Sequence, residues 1–136
     1  GDMAGSLAVI GDLLKTEVYE LSRHINLQAG RDLIPDSTLN KPPSAELRPD
    51  QRDDDSLPPY DILDGILRAH LTQCLPFREI AALGYDEQTV SHVIRLTEKS
   101  EYKRRQAAIV LKVSEKAFGY GRRIPIARAL YETQGQ

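Results

Sequence analysis

Three short stretches carry the side chains able to do chemistry. Lys41 heads "KPPSAELRPDQRDDDSLPPYD", residues 41–61, which holds five of the chain's eight prolines. A lysine placed where an ordered segment meets a proline-broken one can bring a compact point charge to a phosphate, or can simply be solvated at the surface. Asp53, Asp54 and Asp55 follow in the same stretch. Mg²⁺ is normally held by one or two placed carboxylates plus substrate phosphates, so a solvated acidic loop is the better reading of three consecutive aspartates. Further on, "EYKRRQ" at residues 101–106 sets Lys103, Arg104 and Arg105 beside Tyr102. Such a cluster can bind an anion with the tyrosine ring stacking on it, or can be a solvated helix end where the dipole favours positive charge. Both readings stand on these residues alone.

Other chemistries find no support. His24, His70 and His92 are far apart in sequence, and no His or Cys stands at metal-ligand spacing around them, which argues against a metal site. His70 falls on an apolar helical face and reads as a hydrogen-bonded core residue. Cys74, the one cysteine, also reads as packing on a helical face, since nothing marks it as an activated thiolate. A single cysteine excludes an intramolecular disulfide framework, and a reducing compartment fits. Neither a glycine-rich phosphate loop of the usual types nor a Ser-His-Asp arrangement is present.

The elements that must position these residues are mostly helical. Asp12 can cap a helix whose apolar residues Leu14, Val18, Leu21 and Ile25 recur at helical spacing, with Gly30 where a C-cap glycine belongs. "RDLIPDSTLN" reads as loop or a single turn. Pro42, Pro43, Pro49, Pro58 and Pro59 then remove backbone donors while the aspartates repel one another, so this stretch is predicted to be a loop. Structureless loops longer than ~12 to 15 residues are generally either functional lids or disordered linkers. The helical period returns after Pro58, placing Leu63, Ile66, Leu67, His70 and Leu71 on one face with Cys74 one turn on. Pro76 starts a short helix containing Phe77 and Ile80, closed by Gly84. Asp86 caps the next, with Val90, Val93, Ile94 and Thr97 on one side, and "SEYKRRQ" makes a basic turn or short helix. "AIVLKV", residues 108–113, is the only convincing strand. One strand cannot make a sheet, so the chain is either helical with an extended arm or lacks the strand's partners.

With 136 residues and 40% hydrophobic content, the chain can hold one domain with a core. No run reaches the ~18 to 20 apolar residues of a membrane span, and the opening lacks the charged region of a secretory signal, which predicts a soluble cytoplasmic protein with no membrane partner. Residues 1–98 carry nine Lys or Arg against seventeen Asp or Glu, a balance of −8, whereas residues 99–136 carry nine against three, or +6. A basic tail favours an anionic partner or packs against the acidic part of its own chain.

Read together, "GDMAGSLAVIGDLLKTEVYELSRHIN", "KPPSAELRPDQRDDDSLPPYDILDGIL" and "GYDEQTVSHVIRLTEKSEYKRRQ" resemble the C-terminal part of glutamine-dependent NAD+ synthetases, in order and with the family's spacing, from Gly1 to about Pro125. The resemblance implies a parent enzyme that adenylates the carboxylate of deamido-NAD+ with ATP and Mg²⁺ and then amidates it with ammonia drawn from glutamine. It implies a parent domain that is doubly wound α/β, of the ATP-pyrophosphatase type (adenine nucleotide alpha hydrolase-like). Residues 1–136 look like a C-terminal piece of it, mostly α with one or few short strands. The S-G-G-x-D-S phosphate loop and the Glu-Lys-Cys amidase are not in this sequence. The piece is therefore expected to be inactive alone, to bind no cofactor by itself and to need the N-terminal part of the same enzyme.

By the same resemblance, residues 41–59 correspond to the mobile loop that closes over ATP and the adenylate, and Lys41 to its catalytic ATP-phosphate ligand. Ser44 stands where relatives have the threonine of "KAPTADL", a hydroxyl donor to ATP. Pro59 falls near a threonine that contacts ATP in those relatives. "EYKRR" matches "EHKR", which places Lys103 on the carboxylate of deamido-NAD+ and Tyr102 in the histidine's position. Asp2 corresponds to a loop beside the same pocket. The family's metal ligands lie mainly upstream, and none is assigned here.

A rival reading is a non-enzymatic helical module whose basic tail binds nucleic acid, supported by the pairs Arg104-Arg105 and Arg122-Arg123. The absence of tryptophan and the 6% aromatic content count against it. Helical faces that would pack on an absent sheet should be exposed, so self-association into homo-oligomers is expected.

Overall fold

The computed structural model describes residues 5–41, 57–116 and 125. In chain order these form β1 (Leu7–Ala8), α1 (Lys15–Ala29), α2 (Asp36–Leu39), α3 (Tyr60–Leu67) running into one π-helical turn (Arg68–Thr72), α4 (Phe77–Ala82), α5 (Glu87–Lys99), α6 (Glu101–Gln106) and β2 (Ile109–Val110). The mostly helical character read from the sequence is borne out.

Helix α5 shows how directly local chemistry sets these elements. The Asp86 carboxylate accepts from the Thr89 backbone N–H at 2.8 Å and from its hydroxyl at 2.9 Å, which satisfies a first-turn donor that has no intrahelical partner. From there Val90, Val93 and Ile94 fall on the buried side at spacings of three and four. Pro76 precedes α4, and Gly84 closes it in the left-handed region at φ 99°, both as the sequence predicts. Ile66, Ala69, Ile80, Val90, Val93 and Ile94 make the core, with Leu63, Leu67, Phe77 and Tyr85 packed around it. Each fully buried aliphatic side chain contributes about 1.5–3 kcal/mol. Tyr85 lies so close over α3 that a Cβ at Gly65 would overlap its hydroxyl.

Helix α1 departs from its expected cap. Asp12 does not cap it: its Oδ2 accepts instead from the backbone N–H groups of Val113 at 2.8 Å and Ser114 at 2.6 Å. Two backbone donors at the start of α1 are taken by other carboxylates. Glu17 Oε2 accepts from Leu14 N–H at 2.8 Å, and Asp64 Oδ2 reaches across from α3 to accept from Thr16 N–H at 2.7 Å. Arg68 adds an exposed ion pair to Glu17 at 2.8 Å, a contact worth little by itself. The predicted apolar face of α1 is only partly covered, with Leu21 and Ile25 exposed. Gly30 does take the left-handed C-cap conformation, φ 62°.

The single turn expected after α1 is present as α2. The Asn26 amide ties the connecting loop down, donating to Ile34 O at 2.8 Å and accepting from Ile34 N at 2.9 Å.

Two further expectations are corrected. The strand in residues 108–113 does have a partner within the chain: β2 pairs in parallel with β1, Leu7 against Ile109 and Ala8 against Val110. The opening stretch is too short and too rich in glycine for its strand to be visible in sequence. Gly11 matters to the pairing, since a Cβ there would sit 3.1 Å from Ala8 Cβ and 3.2 Å from Val110 Cγ2. Cys74 is not packed on a helical face but exposed. In the π turn Gln73 N–H bonds back to Arg68 O, five residues away, which widens the helix and shifts everything beyond it off the expected face. Cys74 then adopts φ 56°, and Lys116 Nζ donates to its sulfur at 2.7 Å. His70, by contrast, is buried as the sequence predicts.

Candidate functional site: the outward face of helix α6

Six residues make α6, and their charges are sorted by face. At 100° per residue, Glu101, Arg104 and Arg105 share one side, while Tyr102, Lys103 and Gln106 share the other. Glu101 is buried, 3% exposed. Arg104 grips it with two parallel bonds, Nε to Oε2 at 2.8 Å and Nη2 to Oε1 at 2.7 Å, the bidentate geometry that gives guanidinium–carboxylate pairs their strength and direction. Arg105 Nε adds a third contact to Oε1 at 3.3 Å. Tyr102 and Lys103 are exposed, and no carboxylate among the described residues pairs with Lys103. Of the three cations in "YKRR", Lys103 is thus the one whose charge is presented outward and unneutralised.

This orientation depends on α5. The two helices are separated only by Ser100, whose carbonyl accepts from Lys103 N–H at 3.0 Å and Arg104 N–H at 3.3 Å. With Val93 and Ile94 fixed in the core, the axis of α6 is fixed as well.

Lys41 belongs to a different element. It follows α2 directly and is exposed, and α2 is held to α1 through the Asn26–Ile34 clamp. Pro59 is the residue preceding α3, where its carbonyl accepts from Leu63 N–H at 2.9 Å. The structure therefore places Tyr102 and Lys103 on one face of α6 and Lys41 just after α2. Asp2, Ser44 and the three aspartates 53–55 lie outside the described residues. Among the described residues no three His, Cys, Asp or Glu side chains come together to hold a metal ion.

Sequence reading missed Glu101. Its spacing of three and four to Arg104 and Arg105 was a usable signal for ion pairing, but its burial was not legible without the fold. The Asp64–Thr16 contact spans 48 residues and left no local trace at all.

Comparison with known proteins identifies the family. The NAD synthase family model matches residues 1–107, more than three quarters of the chain, ending one residue beyond α6. The chain belongs to the NAD synthase family. Among its relatives are the glutamine-dependent NAD(+) synthetases of Thermotoga maritima, 48% identical over 132 residues, and of Synechocystis sp., 51% identical over 131 residues. They align with 97% and 96% of this chain but with only 23% of their own length. A solved glutamine-dependent NAD+ synthetase from Acinetobacter baumannii, in complex with ADP, superposes with a TM-score of 0.55 at 37% identity, covering 97% of this chain and 22% of that one. The chain thus spans less than a quarter of the length of these NAD synthase relatives. The family match spans the positions from Asp2 to Lys103 and leaves out Arg122 and Arg123.

Proposed function

We propose that this chain supplies one wall of the active site of a glutamine-dependent NAD+ synthetase, an ATP-dependent ligase whose remaining parts lie outside these residues. In that reaction a carboxylate oxygen of deamido-NAD+ attacks the α-phosphorus of ATP, forming an acyl-adenylate and expelling pyrophosphate. Ammonia released from glutamine by a separate amidase then attacks the acyl carbon and expels AMP, leaving the amide of NAD+.

The observation that carries this reading is the sorted helix α6. Lys103, exposed and unpaired among the described residues, is an unneutralised cation suited to a carboxylate, and Tyr102 beside it offers a ring face and a hydroxyl. Lys41 is the proposed ligand of the ATP phosphates. Negative charge builds on those phosphates during adenylation, which is where a positioned cation contributes most. Ser44 is proposed to donate its hydroxyl to ATP and Asp2 to border the deamido-NAD+ pocket. Residues 41–59 are proposed to close over the bound adenylate, whose hydrolysis would otherwise return the acid. Mg²⁺ accompanies ATP in this reading, but the described residues offer no site that fits it, so no step is derived through the metal here.

On this proposal the 136 residues alone have no synthetase activity, the rest of the polypeptide is their obligatory partner, and homo-oligomers of the complete enzyme are expected in the cytoplasm. No helix among the described residues is long and apolar enough to cross a membrane. The nucleic-acid reading loses support at one of its two arginine pairs, because Arg104 and Arg105 are engaged by Glu101, while Arg122 and Arg123 lie outside the described residues.

The test is substitution in the complete enzyme with ammonium as nitrogen source. Lys103→Ala should raise KM for deamido-NAD+ by about ten- to a hundred-fold, the equivalent of one charged hydrogen bond of ~1.5–3 kcal/mol, and Lys41→Ala should chiefly lower kcat. Unchanged amide formation in both variants would mean that the site assignment is wrong.

A further inference from the structure

A buried glutamate with two arginines on it is more than is needed to end a short helix, and the position of these three residues next to Lys103 gives them a second consequence. We infer that Glu101 is a positioning and specificity-determining residue. By engaging Arg104 and Arg105, it leaves Lys103 as the cation of the segment whose charge no carboxylate among the described residues neutralises when an anionic substrate approaches. The inference rests on the proposed contact between Lys103 and the substrate carboxylate.

Lys103 and its neighbours are consecutive in sequence, so the three cationic heads start from backbone positions a few ångströms apart. Arginine side chains are long, carry a charge at every working pH and bind oxyanions bidentately. Left without an internal carboxylate, either guanidinium can swing towards the outward face and compete with Lys103 for any oxyanion that approaches. Glu101 prevents this through geometry as well as charge. Its two oxygens are both occupied by Arg104, at 2.8 and 2.7 Å, and Oε1 also takes Arg105 Nε at 3.3 Å. The side chain of Arg104 is 12% exposed and that of Glu101 4%, so water screens this pair poorly. Arg105, 49% exposed, is the arginine with the shorter path to solvent and should be the first to be released.

The test uses the complete enzyme supplied with ammonium, with inorganic sulfate as a probe oxyanion competing against deamido-NAD+, and sodium chloride at matched ionic strength as control. Glu101→Gln keeps the side chain's shape but removes the carboxylate charge that both arginines contact. It should make sulfate inhibit about five-fold more tightly, as expected for new charged contacts on an exposed face, and raise KM for deamido-NAD+ more than it lowers kcat. The triple variant Glu101→Gln/Arg104→Gln/Arg105→Gln should return sulfate sensitivity to the wild-type value.

If Glu101 only props the helix, the single variant lowers kcat or thermal stability with sulfate sensitivity unchanged, and that result overturns the inference, as does a triple variant that stays sulfate-sensitive. Should Glu101→Gln not fold, Glu101→Met/Arg104→Met replaces the buried pair by apolar side chains of similar volume and releases Arg105 alone. Sulfate sensitivity must then rise, and must fall back when Arg105→Met is added; no rise overturns the inference. Lys103→Ala separates the two levels. If it leaves KM for deamido-NAD+ unchanged while Glu101→Gln still traps sulfate, the proposed substrate contact fails and the arginine clamp stands.

Discussion

The helical centre and the strand arm of this chain were built under different constraints. In the centre, α3, α4 and α5 bury Ile66 and Ile80 completely and cover Val93 and Ile94 almost as well. In the arm, Leu7, Val9, Ile10, Ile109, Leu111 and Val113 are all exposed, Ile109 at 61%. Parallel strands are normally buried on both faces, and a two-stranded sheet is marginal in water. The first region closes on itself, whereas the second leaves its apolar side chains uncovered among the described residues.

The contrast is most simply broken by a matched pair of substitutions read by thermal or chemical unfolding. Ile66→Ala opens a cavity in the centre and should cost about 2–5 kcal/mol. Ile109→Ala removes exposed surface and should stay within about 0.5 kcal/mol. Equal costs would mean that the arm is packed in solution and that the comparison is wrong. Gly65→Ala comes next, at about 1–3 kcal/mol, because the new methyl must displace the Tyr85 ring. Adding Tyr85→Phe should recover part of that loss, since the hydroxyl is the atom the methyl meets first.

What could be read from sequence follows the same line. Asp86, Val90, Val93 and Ile94 announce α5 because a cap and a 3.6-residue period are local facts, and Pro76, Gly84 and Gly30 bound their helices for similarly local reasons. β1 could not be read, since two residues in a glycine-rich opening become a strand only when residues a hundred positions later lie alongside. Asp12 was misassigned as a cap for the same reason: its acceptor is used by Val113 and Ser114. The π turn, and with it the placement of Cys74, depends on backbone bonding that no side-chain pattern records. For the candidate site, family resemblance pointed to Lys103, but only the buried Glu101, engaged by Arg104 and Arg105, explains why that lysine is the cation of the segment left without a carboxylate among the described residues.

A smaller effect separates the two aspartates that reach across the molecule. Asp64→Ala removes the acceptor for Thr16 N–H and should cost about 0.5–2 kcal/mol, the range for losing a helix cap, with the loss shared by α1 and the centre. Asp12→Ala frees the segment after β2 and should leave the centre unchanged. Hydrogen exchange distinguishes them: Asp12→Ala should speed exchange at Val113 and Ser114 alone, whereas Asp64→Ala should speed it through the first turn of α1. Exchange rising everywhere in Asp12→Ala would show the arm and centre to be one cooperative unit.

The smallest expected effect concerns pH, and it lies entirely within the helical centre. The backbone N–H of Thr89, followed by its hydroxyl, holds the Asp86 carboxyl below its ordinary value of 3.8. A carboxylate whose folded pKa is depressed stabilises the fold above the unfolded pKa, and that contribution is lost as pH falls through the folded one. Asp86→Asn keeps an oxygen for Thr89 N–H but cannot titrate. The stability difference between wild type and this variant should therefore be constant from neutral pH down to about the ordinary carboxylate value and shrink below it. Protection of the first amides of α5 should follow the same curve in the wild type and be flat in the variant. An equal acid loss in both proteins would assign it to other carboxylates. Because Asp86 is fully exposed, added salt should narrow the difference, whereas the core contacts of Val90 that follow it should not respond to moderate salt.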